Sequence, residues 1–142
     1  MLYLGADHAG YATKGYIKKF LDKNKIQYKD LSPVLKKGDD YPDHAKKVAK
    51  AVIKSKGQGI LVCGTGTGMV MAANKFKGIR AVLVYDKYTA VKSREHNDAN
   101  IITLRARGFS KEKAKELVKV WLKTKFSNVS RHKRRIKKIS RI

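Results

Sequence analysis

Apolar positions along this chain follow two rhythms. Leu2–Ala6, Gly59–Cys63, Ile79–Tyr85 and Ile101–Leu104 are short, nearly continuous apolar runs, the pattern of strands buried on both faces. Ile26–Leu31 alternates enough to predict one more strand. The segments between them carry the longer period of helices. Tyr11–Lys23 places Tyr16, Ile17, Phe20 and Leu21 on one side, and a helix from Pro42 to about Lys56 puts Ala45, Val48, Ala49, Val52 and Ile53 on one stripe. Shorter helices are predicted after Gly68, carrying Met69, Met71, Ala72 and Ala73, and over Tyr88–Arg94. A long one covers Lys111–Lys123. Ser32–Pro42 is a polar loop holding both prolines, and Pro42 suits a first helical position, where a missing N–H does no harm. Lys125–Ser130 breaks the pattern. Arg131–Ile142 predicts a last basic helix with Ile136 and Ile139 as its thin apolar edge. Five strands alternating with helices predict an α/β fold, a mostly parallel sheet covered on both faces. No internal repeat or boundary divides the 142 residues, so 1–142 is read as a single domain, with 131–142 as a basic C-terminal arm.

Charge complicates this ordinary pattern. Thirty-four Lys and Arg against 11 Asp and Glu give +23, and 15 of the basic but only 2 of the acidic residues lie in the last 42. Such an excess suits a polyanionic partner, either nucleic acid or phosphorylated small molecules. The 42 % apolar content excludes a disordered basic tail. A single cysteine excludes an internal disulfide and a Cys-cluster zinc site. No apolar run approaches the roughly 20 residues of a membrane span, and Asp7 and His8 interrupt any signal-like start, so a cytoplasmic protein is expected.

The densest chemistry lies in Cys63-Gly-Thr-Gly-Thr-Gly68, between a buried strand and a helix. Gly64, Gly66 and Gly68 let backbone N–H groups converge on one spot, where the helix start adds partial positive charge. Such a loop binds phosphate, carboxylate or a developing oxyanion; the plainer reading is a tight turn. The dinucleotide fingerprint G-x-G-x-x-G fails because Met69 stands where its third glycine is needed, although Asp86 imitates its ribose-binding acid. The phosphate loop of nucleotide hydrolases lacks its Gly-Lys-Ser/Thr. Cys63 directly precedes the glycines, where a thiolate is favoured, although a lone cysteine is often a buried structural residue. A base beside an oxyanion-binding loop suits proton abstraction next to a carbonyl.

Asp7 and His8 follow the first strand and fall on the same carboxyl edge of the sheet as Cys63, the edge where open α/β sheets bind ligands. Asp40-Tyr-Pro-Asp43 reads as a helix cap. Glu95-His-Asn-Asp98 is a dense polar string just before the fifth strand. In the tail Arg131 and Arg135 share a helix face at i, i+4 and suit one phosphate. No aromatic residue interleaves the tail cations, which weighs against a single-stranded RNA platform.

Together these segments resemble the type B ribose-5-phosphate isomerases, in the group that includes galactose-6-phosphate isomerase subunits. The resemblance rests on Gly5-Ala-Asp-His-Ala-Gly10, Asp40–Asp43, Cys63–Met69, Ala72-Ala-Asn-Lys75, Gly78-Ile-Arg-Ala81, Arg94–Asn100 and Arg131-His132 with Arg135, which are collinear over nearly the whole chain. It implies a Rossmann-like three-layer α/β/α sandwich, a homodimer or homotetramer with sites between subunits, and cofactor-free, metal-free interconversion of ribose 5-phosphate and ribulose 5-phosphate in the pentose phosphate pathway. By matching position, Cys63 would be the base and His96 would assist ring opening. Thr65 and the amides of Gly64, Gly66, Thr67 and Gly68 would stabilise an enediolate. Asp7, His8 and Asn97 would contact the sugar, and Arg107, Arg131 and Arg135 the phosphate. Val129-Ser130 stand where the family usually has two glycines. Isomerisation of six-carbon sugar phosphates (allose 6-phosphate or galactose 6-phosphate) is the nearest alternative. A nucleic-acid-binding protein is the alternative of another class and is motivated only by charge, so nucleic acid is not the expected partner.

Overall fold

The computed structural model describes residues 1–142. Five strands, β1 (Leu2–Ala6), β2 (Tyr28–Asp30), β3 (Gln58–Cys63), β4 (Ala81–Leu83) and β5 (Ile101–Arg105), form one sheet in the order β2-β1-β3-β5-β4. Every pairing is parallel, so the sheet expected to be mostly parallel is wholly so. Six helices, α1 (Tyr11–Lys23), α2 (Tyr41–Ser55), α3 (Thr67–Ala73), α4 (Lys87–Glu95), α5 (Lys111–Lys123) and α6 (Ser130–Ile139), complete the chain. One face of the sheet packs Leu4, Ile60, Val62, Ile102 and Leu104 against Ile17 and Leu21 of α1, Ala90 of α4 and Leu117, Val118 and Trp121 of α5. The other packs Leu61 and Ile101 against Val48, Ala49 and Val52 of α2 and Met69 and Ala73 of α3. These are the two helical layers of a three-layer sandwich.

The edge strands are shorter than the sequence suggests. The runs Ile26–Leu31 and Ile79–Tyr85 contract to Tyr28–Asp30 and Ala81–Leu83, because β2 and β4 each pair on one side only. Pro42 sits in the first turn of α2 as expected. Asp40 stands at its N-cap position but its side chain makes no capping bond. Ile53, expected on the buried stripe, is 43 % exposed. On α1 the buried face is Thr13, Lys14, Ile17 and Leu21. Tyr16 points outward and donates its hydroxyl to Glu112. The terminal helix begins one residue early and ends at Ile139, with His132 its one buried side chain; the expected arm lies outside the two core layers.

Lys14 was not anticipated. It is 2 % exposed, and its ammonium bonds Asp30 (2.8 Å), Ser32 Oγ (2.9 Å) and the Ser32 carbonyl. Ser32 Oγ also accepts the Ala6 N–H at 2.8 Å. This lysine therefore ties α1 to the carboxyl ends of β1 and β2. Burial pulls its pKa down against the attraction of Asp30. Burial pushes the Asp30 carboxyl up, but Lys14, Lys18 and the Ser32 N–H outweigh it and hold it below the usual range.

Candidate active site

The chain after β1 continues into α1, and the chain after β3 into α3 and then to β4 at the far edge, so the carboxyl ends of β1 and β3 flank the point where the strand order reverses. That crevice is where ligands bind in open α/β sheets. Asp7 and the loop Cys63–Gly68 lie on its two sides. Close approach here needs Gly10, since a Cβ on it would stand 2.1 Å from the Val62 carbonyl oxygen.

Cys63 is 4 % exposed at the end of β3. Its Sγ accepts the Gly66 N–H at 3.1 Å. Gly66 has φ +81°, a left-handed conformation natural to glycine, and a Cβ there would meet Leu83 at 2.4 Å. The loop is tied down from β5: the Thr103 hydroxyl donates to the Gly66 carbonyl at 3.0 Å, and the Arg107 N–H to the Gly64 carbonyl at 3.0 Å. The amides of Gly64, Thr65 and Gly68 donate to no protein group. The turn thus offers a cluster of donors beside a thiol. The hydroxyls of Thr65 and Thr67 lie 2.7 Å apart on its outer side, and the exposed Arg107 guanidinium lies over Gly64.

On the β1 side, Asp7 Oδ1 accepts the Gly10 N–H at 2.9 Å, leaving Oδ2 without a protein donor. His8 is held by Asp39, whose Oδ1 accepts its backbone N–H (2.8 Å) and faces its Nδ1 (2.9 Å). Asp39 Oδ2 lies 2.6 Å from His44 Nε2. Burial pushes the Asp39 carboxyl up, but the bonds from His8 and His44 more than offset this and keep it below the usual range. With Nδ1 engaged, His8 presents Nε2 outward. The sequence pointed to Asp40 and Asp43; Asp39 and His44 are the residues that organise this corner, and only the folded loop brings them to His8.

The remaining expected residues are not here. His96 and Asn97 follow α4, which runs back along the sheet and delivers them to its amino edge, before β5. Cys63 pairs with Arg105, at the far end of that strand from Ile101. Four strand steps, about 13 Å, therefore separate the two edges. At the amino edge His96 stacks on His132 with ring centroids 4.3 Å apart. His132 Nδ1 lies 2.7 Å from Ser127 Oγ. Burial lowers the His132 pKa, helped by His96, Arg131 and Arg135. Arg131 and Arg135 extend from α6 into solvent without an ion pair or hydrogen bond to the protein. The structure thus brings Asp7, His8, Cys63, Thr65, Thr67, the three glycines and Arg107 to one edge, and His96, Asn97, Arg131 and Arg135 to the other. No group of three or more His, Cys, Asp or Glu is placed to hold a metal ion, and no helix is long and apolar enough to cross a membrane.

Comparison with known proteins agrees with this fold. Residues 2–139 match the family model described as Ribose/Galactose Isomerase. This chain belongs to the ribose/galactose isomerase family. It is 39 % identical over 139 residues to ribose-5-phosphate isomerase B of Escherichia coli, covering 97 % of this chain and 93 % of that protein. It superposes on a ribose 5-phosphate isomerase of Thermotoga maritima with a TM-score of 0.95 at 39 % identity, covering 99 % and 97 % of the two chains. The ribose-5-phosphate isomerase B of Mycoplasma genitalium with bound ribulose-5-phosphate gives 0.93 at 40 % identity, covering 99 % and 93 %. The family resemblance read from the sequence is borne out, as is the Rossmann-like α/β fold.

Proposed function

We propose that this protein interconverts ribose 5-phosphate and ribulose 5-phosphate through an enediolate, with Cys63 as the base. The observation that carries the reading is a buried sulfur facing an amide donor at 3.1 Å, beside the amides of Gly64, Thr65 and Gly68, which have no protein partner. In the open-chain aldose the Cys63 thiolate takes the proton from C2 while the C1 carbonyl oxygen gathers negative charge. The free amides of Gly64, Thr65 and Gly68 stabilise that oxyanion, while the Gly66 N–H steadies the sulfur. Once a proton has passed between O2 and O1, the thiol returns its proton to C1 and the ketose is complete; no atom is gained or lost. Asp7 and His8 hold the sugar hydroxyls, and Arg107 contributes to the phosphate.

His96 opens the furanose ring, Asn97 contacts the sugar, and Arg131 and Arg135 bind the phosphate, all from a second copy of the chain. A five-carbon sugar phosphate is shorter than the roughly 13 Å of sheet between the two half-sites. A two-fold dimer that sets the amino edge of one protomer against the carboxyl edge of the other completes two equivalent sites. The unpaired state of both arginines in the single chain supports this reading. The test is conversion of ribose 5-phosphate by the purified protein, with Cys63→Ala as control. The expected loss in kcat is about 100-fold or more, the size of a general-base contribution. Full activity in that variant removes Cys63 as base. A higher kcat/KM for allose 6-phosphate or galactose 6-phosphate than for ribose 5-phosphate reassigns the substrate.

A further inference from the structure

The turn that carries His96 and Asn97 is gripped by two arginines that the proposed chemistry does not use. Arg80, immediately before β4, donates from Nε to the carbonyls of Asn97 (3.0 Å) and Asp98 (3.1 Å). Its Nη2 reaches the Asp98 carbonyl (2.8 Å) and carboxylate Oδ2 (3.0 Å). Arg94, in the last turn of α4, donates from Nη1 to Asp98 Oδ1 (2.8 Å) and to the Ala99 carbonyl (2.7 Å). One carboxylate is thus shared by two guanidiniums, and three consecutive carbonyls are all taken by them. Asp98 has φ +45°, a left-handed backbone that a residue other than glycine keeps only where its surroundings over-determine it. Arg94 is fixed in turn by the Thr124 carbonyl (3.3 Å) and by the Trp121 ring, 5.7 Å from its guanidinium. Asn100 closes the network by accepting the Arg80 backbone N–H at 2.8 Å.

We infer that Arg80, Arg94 and Asp98 are positioning residues that set the direction in which His96 and Asn97 leave the amino edge, and so how they enter the neighbouring protomer's site. This rests on the assignment of ring opening to His96. The planar fork of Arg80 is needed because it serves two carbonyls and a carboxylate at once; an ammonium keeps the charge but not that geometry.

The two directions of the reaction separate positioning from general damage. Ribose 5-phosphate is mostly ring-closed, whereas ribulose 5-phosphate has its C5 hydroxyl esterified and stays open. A ring-opening defect slows consumption of the aldose but spares that of the ketose, whose open-chain aldose product leaves the site and closes in solution; a loosened fold slows both. Initial rates of both directions are measured for wild type, His96→Asn, Arg80→Lys and Asp98→Asn, with folding checked by circular dichroism. Asparagine tolerates the positive φ, so Asp98→Asn decides the matter if Arg80→Lys fails to fold. The expected result is a kcat for ribose 5-phosphate about 10- to 100-fold lower in Arg80→Lys, with KM and the ketose rate within about two-fold of wild type. His96→Asn should show the same asymmetry, and Asp98→Asn a smaller one. Equal loss in both directions, or none, in folded Arg80→Lys and Asp98→Asn overturns the inference and leaves the isomerase reading intact. A symmetric loss in His96→Asn overturns both the ring-opening role and the inference, and an inactive wild type overturns the proposed function itself.

Discussion

Thr103→Val isolates the link between the sheet and the glycine turn. Thr103 is fully buried in β5, and its hydroxyl is the strand's one side-chain tie to the Gly66 carbonyl. Valine keeps the shape and removes the donor. The Gly66 carbonyl still accepts the Val70 N–H at 3.2 Å, so no polar group is orphaned. The cost is then that of one neutral hydrogen bond, about 1 kcal/mol, and not the ~2–3 kcal/mol of a stranded acceptor. For a domain of this length it lowers Tm by about 3–5 °C. The effect on catalysis is expected to be larger, because Gly66 supplies the N–H that faces Cys63 Sγ. A loop displaced by a fraction of an ångström moves that donor off the sulfur and the neighbouring amides off the developing oxyanion, for about a ten-fold fall in kcat. Thermal melting by circular dichroism and steady-state kinetics on ribose 5-phosphate measure both quantities. A Tm that falls as expected with kcat unchanged would refute the reasoning, since the turn would then be held by its other contacts.

Other substitutions test separate parts of the account. Lys14→Met removes the cation between α1 and the β1–β2 corner. Asp30 keeps Lys18 and the Ser32 N–H, so urea unfolding should show a loss of about 2–3 kcal/mol, below the full cost of a stranded buried charge; a loss under 1 kcal/mol contradicts the tie. Asp30→Asn probes pH. The folded carboxyl lies below its ordinary range, so its stabilisation is complete above the unfolded value of about 3.9 and is lost as pH falls through the folded one. The stability gap between wild type and Asp30→Asn should be full at neutral pH and close in acid, and a gap that widens on acidification has the wrong sign. Arg135→Ala should raise KM for ribose 5-phosphate about ten-fold with kcat little changed, as uniform binding of a phosphate requires. An unchanged KM rejects that contact.

The reach of the sequence followed local physics. Helices α1 and α5 begin and end where the pattern puts them, and β1, β3 and β5 were visible because a strand paired on both sides and covered on both faces is apolar throughout. β2 and β4 pair on one side, and their flanking apolar residues belong to the turns. Cys63 and the three glycines were legible because strand, thiol and turn are contiguous. Lys14 was not, since a lysine on an amphipathic helix reads as solvent-facing until Asp30 and Ser32 are brought to it. Thr103 passed as strand filler, and Asp39 was overshadowed by the Asp40-Tyr-Pro-Asp43 segment that follows it. Separation of His96 from Cys63 follows from order and direction: in a parallel sheet the residues after a strand and those before one lie at opposite edges.

That separation gives the most direct test of a two-chain site with Cys63 from one protomer and His96 and Arg135 from the other. Chains carrying Cys63→Ala are unfolded and refolded together with an equal amount of chains carrying His96→Asn and Arg135→Ala, and activity on ribose 5-phosphate is measured. Half of the resulting dimers are mixed, and each holds one site with both lesions and one with neither. The account predicts recovery of about a quarter of wild-type activity from two preparations that are each nearly inactive. If mixed dimers form and no activity returns, Cys63 and His96 do not meet across two chains.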